Sequence, residues 1–422
     1  MKIILSHLVL VSSLWAFTFE EAWQKALDNN LVNSKKDQVS LKELEKEQAA
    51  RHWLPEVEAS MNHFQTDAPG GVFFNRLGQR AINATDFDPS ELNHPESEVF
   101  TQSSLRATFG LYQGGGPTAY HHMKGLELDA EKESLQSTQS ELYAKLLSIF
   151  ATVKSTQALG QEVNFLKNRV NKMIKSYQLA KTRSPLAKSG QLGLLGLRKK
   201  ITLMDNQLTL SRLQSERELS LVTGVPRRTL STDFSWVNFL EEKTQPQFDK
   251  SFSSKISTQQ KKIEALEYLP ELEQANQLPT VGLFAQSDQF AGDRDQASAT
   301  SIGIALEWKI FSPKHYGKKT QAMIKLKSAQ KNLEYHQEQE KNYKLQNTDL
   351  IGTLKAQKSL LEQSTKNLKE QSRIIAELFQ KGQVNVLQVV EVYNRRLDLI
   401  SEQAQLHQQL VQAYTQRYQL YH

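Results

Sequence analysis

The chain has no cysteine among its 422 residues, which excludes thiolate metal sites, cysteine nucleophiles, disulfides and a lipidated N-terminal cysteine. Proline and glycine are sparse, at 11 and 19, so long uninterrupted elements are open to it. Hydrophobic residues make up 39%, below the roughly 45–50% of a compact globular chain, and a large three-dimensional core is not expected. Neither sign of charge dominates: 52 Lys and Arg stand against 46 Asp and Glu, a net +6 spread along the sequence. Nucleic-acid binding needs a clustered basic patch, and none is present. Catalytic and metal patterns are missing as well. The ten histidines are scattered; His121 and His122 are helix neighbours that point to different faces and cannot easily share a metal. No Ser/His/Asp order or paired-carboxylate motif stands out, and Gly114-Gly115-Gly116 lacks the Lys-Ser/Thr of a phosphate loop. No enzyme, cofactor or metal site is read from the chain.

What is present is regular, which excludes disorder. Lys2 followed by the apolar stretch Ile3–Ala16 reads as a secretory signal peptide over residues 1–16, too short to span a bilayer. No later stretch approaches about 20 consecutive apolar residues, so any entry into a membrane must use strands. Period-2 alternation marks four of them, at about 56–66, 100–112, 280–290 and 299–311. In the clearest, Ile302, Ile304, Leu306, Trp308 and Ile310 alternate with Gly303, Ala305, Glu307 and Lys309. An ordinary half-buried sheet alternates in the same way, but strands of about ten residues on an exported chain suit a tilted transmembrane strand. Four cannot close a useful barrel, since the smallest membrane barrels have eight, so oligomerisation must supply the rest.

Helices fill most of the remainder. Rods are expected at about 117–183 and 313–379, with Pro117 and Pro313 in the first turn and Ser312 as a plausible N-cap. About 66 residues at 1.5 Å each run for about 100 Å. Shorter rods are expected at about 192–224 and 386–421. In the last, Val386, Val390, Tyr393, Leu397, Ile400, Ala404, Val411, Tyr414, Tyr418 and Tyr421 keep a 3,4 spacing that only His407 interrupts. The average step of 3.5 is the coiled-coil repeat, which a cytosolic coiled coil would share. The pattern also repeats internally. Leu54-Pro55-Glu56-Val57 recurs as Leu278-Pro279-Thr280-Val281, Phe109–Tyr112 as Trp308–Phe311, and Lys188-Ser189-Gly190-Gln191 as Gln380-Lys381-Gly382-Gln383. Residues 17–245 and 246–422 thus form two structural repeats. Residues 68–98, rich in Asp, Asn, Gly and Pro, read as an external loop of the first.

The opening Phe17-Thr18-Phe19-Glu20-Glu21-Ala22 with Ala26-Leu27 and Asn30, the two Leu-Pro strand starts, Phe311-Ser312-Pro313, and Lys381-Gly382-Gln383-Val384-Asn385-Val386-Leu387 together resemble the TolC-like outer membrane efflux proteins. The likeness runs over essentially the whole chain after residue 16. It implies a mainly α fold with transmembrane β: a homotrimer whose four strands per protomer close a 12-stranded outer-membrane β-barrel, continued into the periplasm by an α-helical barrel. The implied function is the exit duct of a tripartite efflux or type I secretion system. Its partners would be a periplasmic adaptor, an inner-membrane transporter and outer-membrane lipid, with no cofactor and no nucleic acid. In the family the turns between long helices dock the adaptor; here they are expected at Ser184–Gly193 and Lys381–Asn385, with Gly190, Gln191, Gly382 and Gln383 at their centres. A glycine that merely ends a helix would read the same way. The family's constriction maps to Gln388 and Glu391, with Asn385 and Arg395 as further polar candidates. An adhesive or structural protein using the 68–98 loop is the competing reading.

Overall fold

The computed structural model describes residues 17–179, 185–226, 235–245 and 252–422. In chain order these form α1 (Phe19–Leu27), α2 (Asn30–Ala50), β1 (Glu56–Thr66), α3 (Pro69–Gly78), a 3-10 turn (Ala84–Phe87), α4 (Pro89–Asn93), β2 (Glu98–Gln113) and α5 (Gly116–Leu179). Next come α6 (Pro185–Thr223), α7 (Trp236–Lys243), α8 (Ser254–Leu266), α9 (Leu269–Ala275), β3 (Thr280–Gly292), β4 (Gln296–Glu307), α10 (Lys318–Gln380) and α11 (Val386–Tyr421). The segment expected to be a signal peptide lies outside the described residues. Among those described, no helix is long and apolar enough to cross a membrane. The chain groups into two units, Val39–Ala130 with Gln259–Asn332, and Met1–Gln38 with Glu131–Thr258 and Leu333–His422. Each draws on both halves of the sequence.

The first unit holds an antiparallel sheet in the order β1-β2-β3-β4. Its register puts Val57, Met61, Leu105, Leu283, Ile302 and Ile304 on one face, all of them exposed within the protomer. The other face carries Glu58, Asn62, Arg106, Gln102, Gln286, Asp288 and Ser301 with a few phenylalanines. A single apolar face with no protein on it, opposite a polar one, is the inverse of a globular sheet. Two boundaries differ from expectation. β4 stops at Glu307, opposite Thr280, because the residue before Thr280 is Pro279, which has no N–H to continue the ladder; Trp308–Phe311 are not strand. The second rod starts at Lys318 instead of Pro313, since Gly317 adopts φ 73° and breaks the helical path.

The expected external loop at 68–98 is instead folded. α3 lies on the polar face: Gln102 Nε2 donates to Asn75 Oδ1 at 2.6 Å, and a Cβ on Gly78 would meet the Phe290 ring at 2.8 Å. A buried ion network pins it. Arg76 Nη1 reaches Asp86 Oδ1 at 2.9 Å and its Nη2 reaches Glu98 at 2.6 Å, while Arg294, from the β3–β4 hairpin, reaches the same Asp86 oxygen at 2.7 Å. Burial raises the Asp86 carboxyl, but the Asn83 N–H and Arg294 more than reverse this and hold it below the usual range. Composition read these residues as loop because their charges face one another instead of water. Nearer α2, Lys124 bridges Glu45 and Glu127 at 2.9 Å each, and Lys42 touches the same two carboxylates.

The second unit is helical. Thr18 caps α1 in a reciprocal box, Glu21 N–H donating to Thr18 Oγ1 at 3.2 Å and Thr18 N–H to Glu21 Oε2 at 2.9 Å. This gives the N-terminal Thr-x-x-Glu pattern a physical role, and Phe19, Ala22 and Ala26 pack from it into one core with Leu146, Phe150, Leu240 and Tyr414. Asn29 Nδ2 donates to the Val222 carbonyl at 2.7 Å, closing the end of α6. A second core joins Val163, Leu166 and Val170 of α5, Leu194, Leu197 and Ile201 of α6, and Val389, Tyr393 and Leu397 of α11.

Candidate functional site

The turn between α10 and α11 is built from its backbone. Gly382 sits at φ 70°; its N–H donates to Phe379 O at 3.0 Å and that of Gln383 to Leu378 O at 2.9 Å, the paired bonds of a Schellman ending, in which the left-handed residue is usually glycine. α11 then starts on a capping box. Gln388 N–H donates to Asn385 Oδ1 and Asn385 N–H to Gln388 Oε1, both at 3.0 Å. Gln388 is therefore engaged with its own helix terminus, and one turn later Arg395 donates to Glu391 at 2.5 Å. All four of these polar residues lie on the exposed side of α11, and the Glu391–Arg395 pair cancels its own charge.

Gly190 and Gln191 are not in a turn. Both lie inside α6, which already begins at Pro185, and residue 184, the expected start of the turn, lies outside those described. What Gly190 supplies is proximity. A Cβ there would come within 1.9 Å of Val386 Cγ1 and 3.0 Å of Tyr177 Oη, so the absent side chain lets α6 lie against the first residue of α11. Gly193 repeats the contact one turn on, its notional Cβ 3.4 Å from Val390 Cγ2. The structure thus brings the Gly190 region against the start of α11, through helix packing. Tyr177 and Phe379 stack beside it with ring centres 6.3 Å apart.

A deeper charged layer went unread in the sequence. Arg396, beside Arg395 but turned inward and only 5% exposed, donates to Glu162 Oε2 at 2.9 Å and lies 5.3 Å from the centre of the Phe165 ring. Lys369 pairs with the other Glu162 oxygen. Burial pushes Glu162 up, but the two cationic donors outweigh it and hold the carboxyl below its usual range. These residues line a groove of about 1060 Å³ with Arg169, Arg373 and Gln403. The available signal was a basic residue on a 3,4 stripe, at Val389, Val392 and Arg396. Among the described residues no group of His, Asp and Glu could hold a metal ion. The arrangement offers polar walls and a tight helical end.

No family profile and no curated protein matches the chain by sequence. Solved structures do match. The outer-membrane channel OprN aligns with a TM-score of 0.76 at 13% identity, over 95% of this chain and 89% of that one. CusC, described as forming a transmembrane channel, aligns at 0.75 and 12% over 94% and 90%. The Campylobacter jejuni outer-membrane channel CmeC aligns at 0.74 and 12% over 95% and 84%. The chain has the fold of the TolC-like outer-membrane channels. The likeness spans both the four-stranded sheet and the long helices. The turn at Gly382 and the Gly190 contact belong to that helical part.

Proposed function

We propose that this chain is the exit duct of an outer-membrane efflux or type I secretion system, a passive channel and not an enzyme. Three copies close one 12-stranded barrel in the outer membrane and extend their helices into the periplasm, where an adaptor and an inner-membrane transporter engage them. The observation that carries this reading is the sheet: an exposed apolar face, a polar opposite face and two edges, β1 and β4, with no strand partner among the described residues. In lipid every backbone group must be paired, so such edges require further strands. The apolar face then meets lipid and the polar face lines water.

The turn around Gly382 and Gln383, with the adjoining Gly190 and Gln191 on α6, is the candidate adaptor-facing end. Gln388, Glu391, Asn385 and Arg395 form the candidate constriction. Because Arg395 neutralises Glu391 within one protomer, the ring they form is compensated instead of strongly cation-attracting. The folded state of the 68–98 segment favours a duct over an adhesin, since its polar side is committed to the chain's own sheet. The deciding experiment is purification from outer-membrane fractions followed by planar-bilayer recording. Heat-modifiable trimers with discrete conductance are expected; a soluble monomer without conductance would refute the reading.

A further inference from the structure

The segment between β1 and β2 has two sides, and both are informative. Its inner side is fixed to the polar face of the sheet by Val72, Asn75 and Arg76 of α3, with Gln79 just beyond; all four are buried. Its outer side is apolar. Phe74, Leu77 and Phe87 are 68%, 51% and 59% exposed, and Phe73 links them edge-on, with ring centres 5.7 Å from Phe74 and 6.0 Å from Phe87. A helix whose inner side is fixed to the water-lined wall of a barrel must aim its outer side at the barrel axis.

Dimensions decide what that side meets. Twelve strands about 4.8 Å apart, tilted by about 40°, enclose a radius of about 12 Å. A helix with its side chains is about 10–12 Å across. Three such helices, one on each third of the wall, leave only a narrow water-filled path between them. We infer that Phe74, Leu77 and Phe87 are a contact surface for the same residues of two further copies of this chain, so that three inward-folded segments constrict the outer mouth with an apolar plug that leaves only a narrow conducting path. This rests on the trimeric duct proposed above. The Arg76–Asp86–Glu98–Arg294 network is the staple that keeps each segment turned inward: Arg294 from the neighbouring hairpin and Arg76 from α3 hold the same Asp86 oxygen. Exposed apolar rings on a segment facing water would otherwise have nothing to cover them.

The cysteine-free chain makes the test clean. Phe74→Cys and Leu77→Cys are introduced singly into the full-length protein in outer membranes, with Glu91→Cys on α4 as the control. Diamide serves as the two-electron oxidant, taking two thiols to one disulfide. A covalent dimer is expected for positions 74 and 77 and not for 91, since only thiols whose Cα atoms come within about 7 Å can be bridged. In parallel, Phe74→Asp with Leu77→Asp places like charges at the axis, and at least a twofold rise in single-channel conductance is expected; Arg294→Ala, which releases one end of the staple, should raise it in the same direction. Trimers that conduct but give no dimer at 74 or 77, or whose conductance does not change in either substituted form, overturn the plug. If the unaltered chain forms neither trimer nor pore, it is the duct that fails.

Discussion

Helices α10 and α11 are both long and both carry apolar residues along their length, yet the protomer treats them differently. In α11 the stripe residues Val386, Tyr393, Leu397, Ile400, Val411 and Tyr414 are buried and the others half-buried, and a second seam through Val389, Val392, Leu399, Leu406, Leu410 and Ala413 is buried with them. Along the helical-unit part of α10, from residue 333 onward, Leu345, Leu350, Leu360 and Ile374 are exposed. The deeply buried residues there include the polar Glu340 and Asn347. Ser253 donates to Glu340 through its N–H at 2.9 Å and its hydroxyl at 2.5 Å, and Asn347 Nδ2 donates to the Ala413 carbonyl at 2.9 Å. An apolar stripe therefore announces that a helix has a neighbour, without saying whether that neighbour is in the same chain. α11 finds its neighbours within the chain; α10 leaves Leu345, Leu350, Leu360 and Ile374 uncovered.

The largest effect expected from this contrast is at Leu410. Leu410→Ala removes a side chain with no exposure and should cost about 2–5 kcal/mol, whereas Leu360→Ala, 64% exposed, should shift protomer stability by less than about 0.5 kcal/mol. Thermal unfolding of both variants checks this, and similar losses would break the contrast. Next in size is acid sensitivity at His407, the polar break in the α11 stripe. It lies against Trp236, ring centres 4.6 Å apart, with Lys358 and Glu362 nearby. Burial first, then Lys358, push its pKa down to about 4. A depressed histidine is neutral in the fold, so its share of stability is complete above pH 6.5 and lost as pH falls toward 4, reaching roughly 3 kcal/mol when both states are protonated. His407→Phe should flatten that part of a stability-versus-pH curve; an unchanged slope would mean the site is wetter than the structure indicates.

Asn347→Ala comes third. It removes a buried hydrogen bond to the Ala413 carbonyl, which keeps its own helical partner, and is expected to cost about 1 kcal/mol, against no measurable change for the exposed neighbour Leu345→Ala in the dissociated chain. Leu345→Ser should instead weaken subunit association, read by trimer dissociation in mild denaturant. The smallest change in stability belongs to the exposed pair on α11. Breaking Glu391–Arg395 alters folding by about 0.3–0.5 kcal/mol, yet in a trimeric pore Arg395→Ala should increase cation preference and Glu391→Ala should favour anions. Reversal potentials in a salt gradient measure both, and identical values would remove these residues from the constriction.

Much of this was legible before any coordinates. Alternation located the four strands because a sheet that is apolar on one face and polar on the other shows its period directly. The first seam of α11 was readable for the same reason. Its second seam was not, since a 3,4 pattern reports one contact face and a helix packed on two sides blurs it. Gly190 was misplaced because the short pattern around it matches the one around Gly382; one glycine ends a helix with positive φ and the other clears space for Val386, and a glycine letter does not distinguish these. In 68–98, Arg76, Asp86 and Glu98 counted as hydrophilic loop although they neutralise one another in the interior. The candidate site fared similarly: Asn385, Gln388, Glu391 and Arg395 share the start of one helix, but their mutual bonds became visible only in three dimensions.

The two unpaired edges of the sheet also constrain the order of events in the life of the molecule. β1 and β4 each present a row of backbone donors and acceptors that hydrocarbon will not accept, so a single copy cannot enter the bilayer and wait for partners. In the trimeric duct proposed above, association must precede or accompany insertion, and a new copy has to remain water-bound with Ile302 and Ile304 uncovered until two others arrive. Once inserted, subunits should not exchange, because leaving would reopen both edges in lipid. A variant that folds but cannot close the ring would consequently sequester normal copies before insertion, and act dominantly when the two are expressed together.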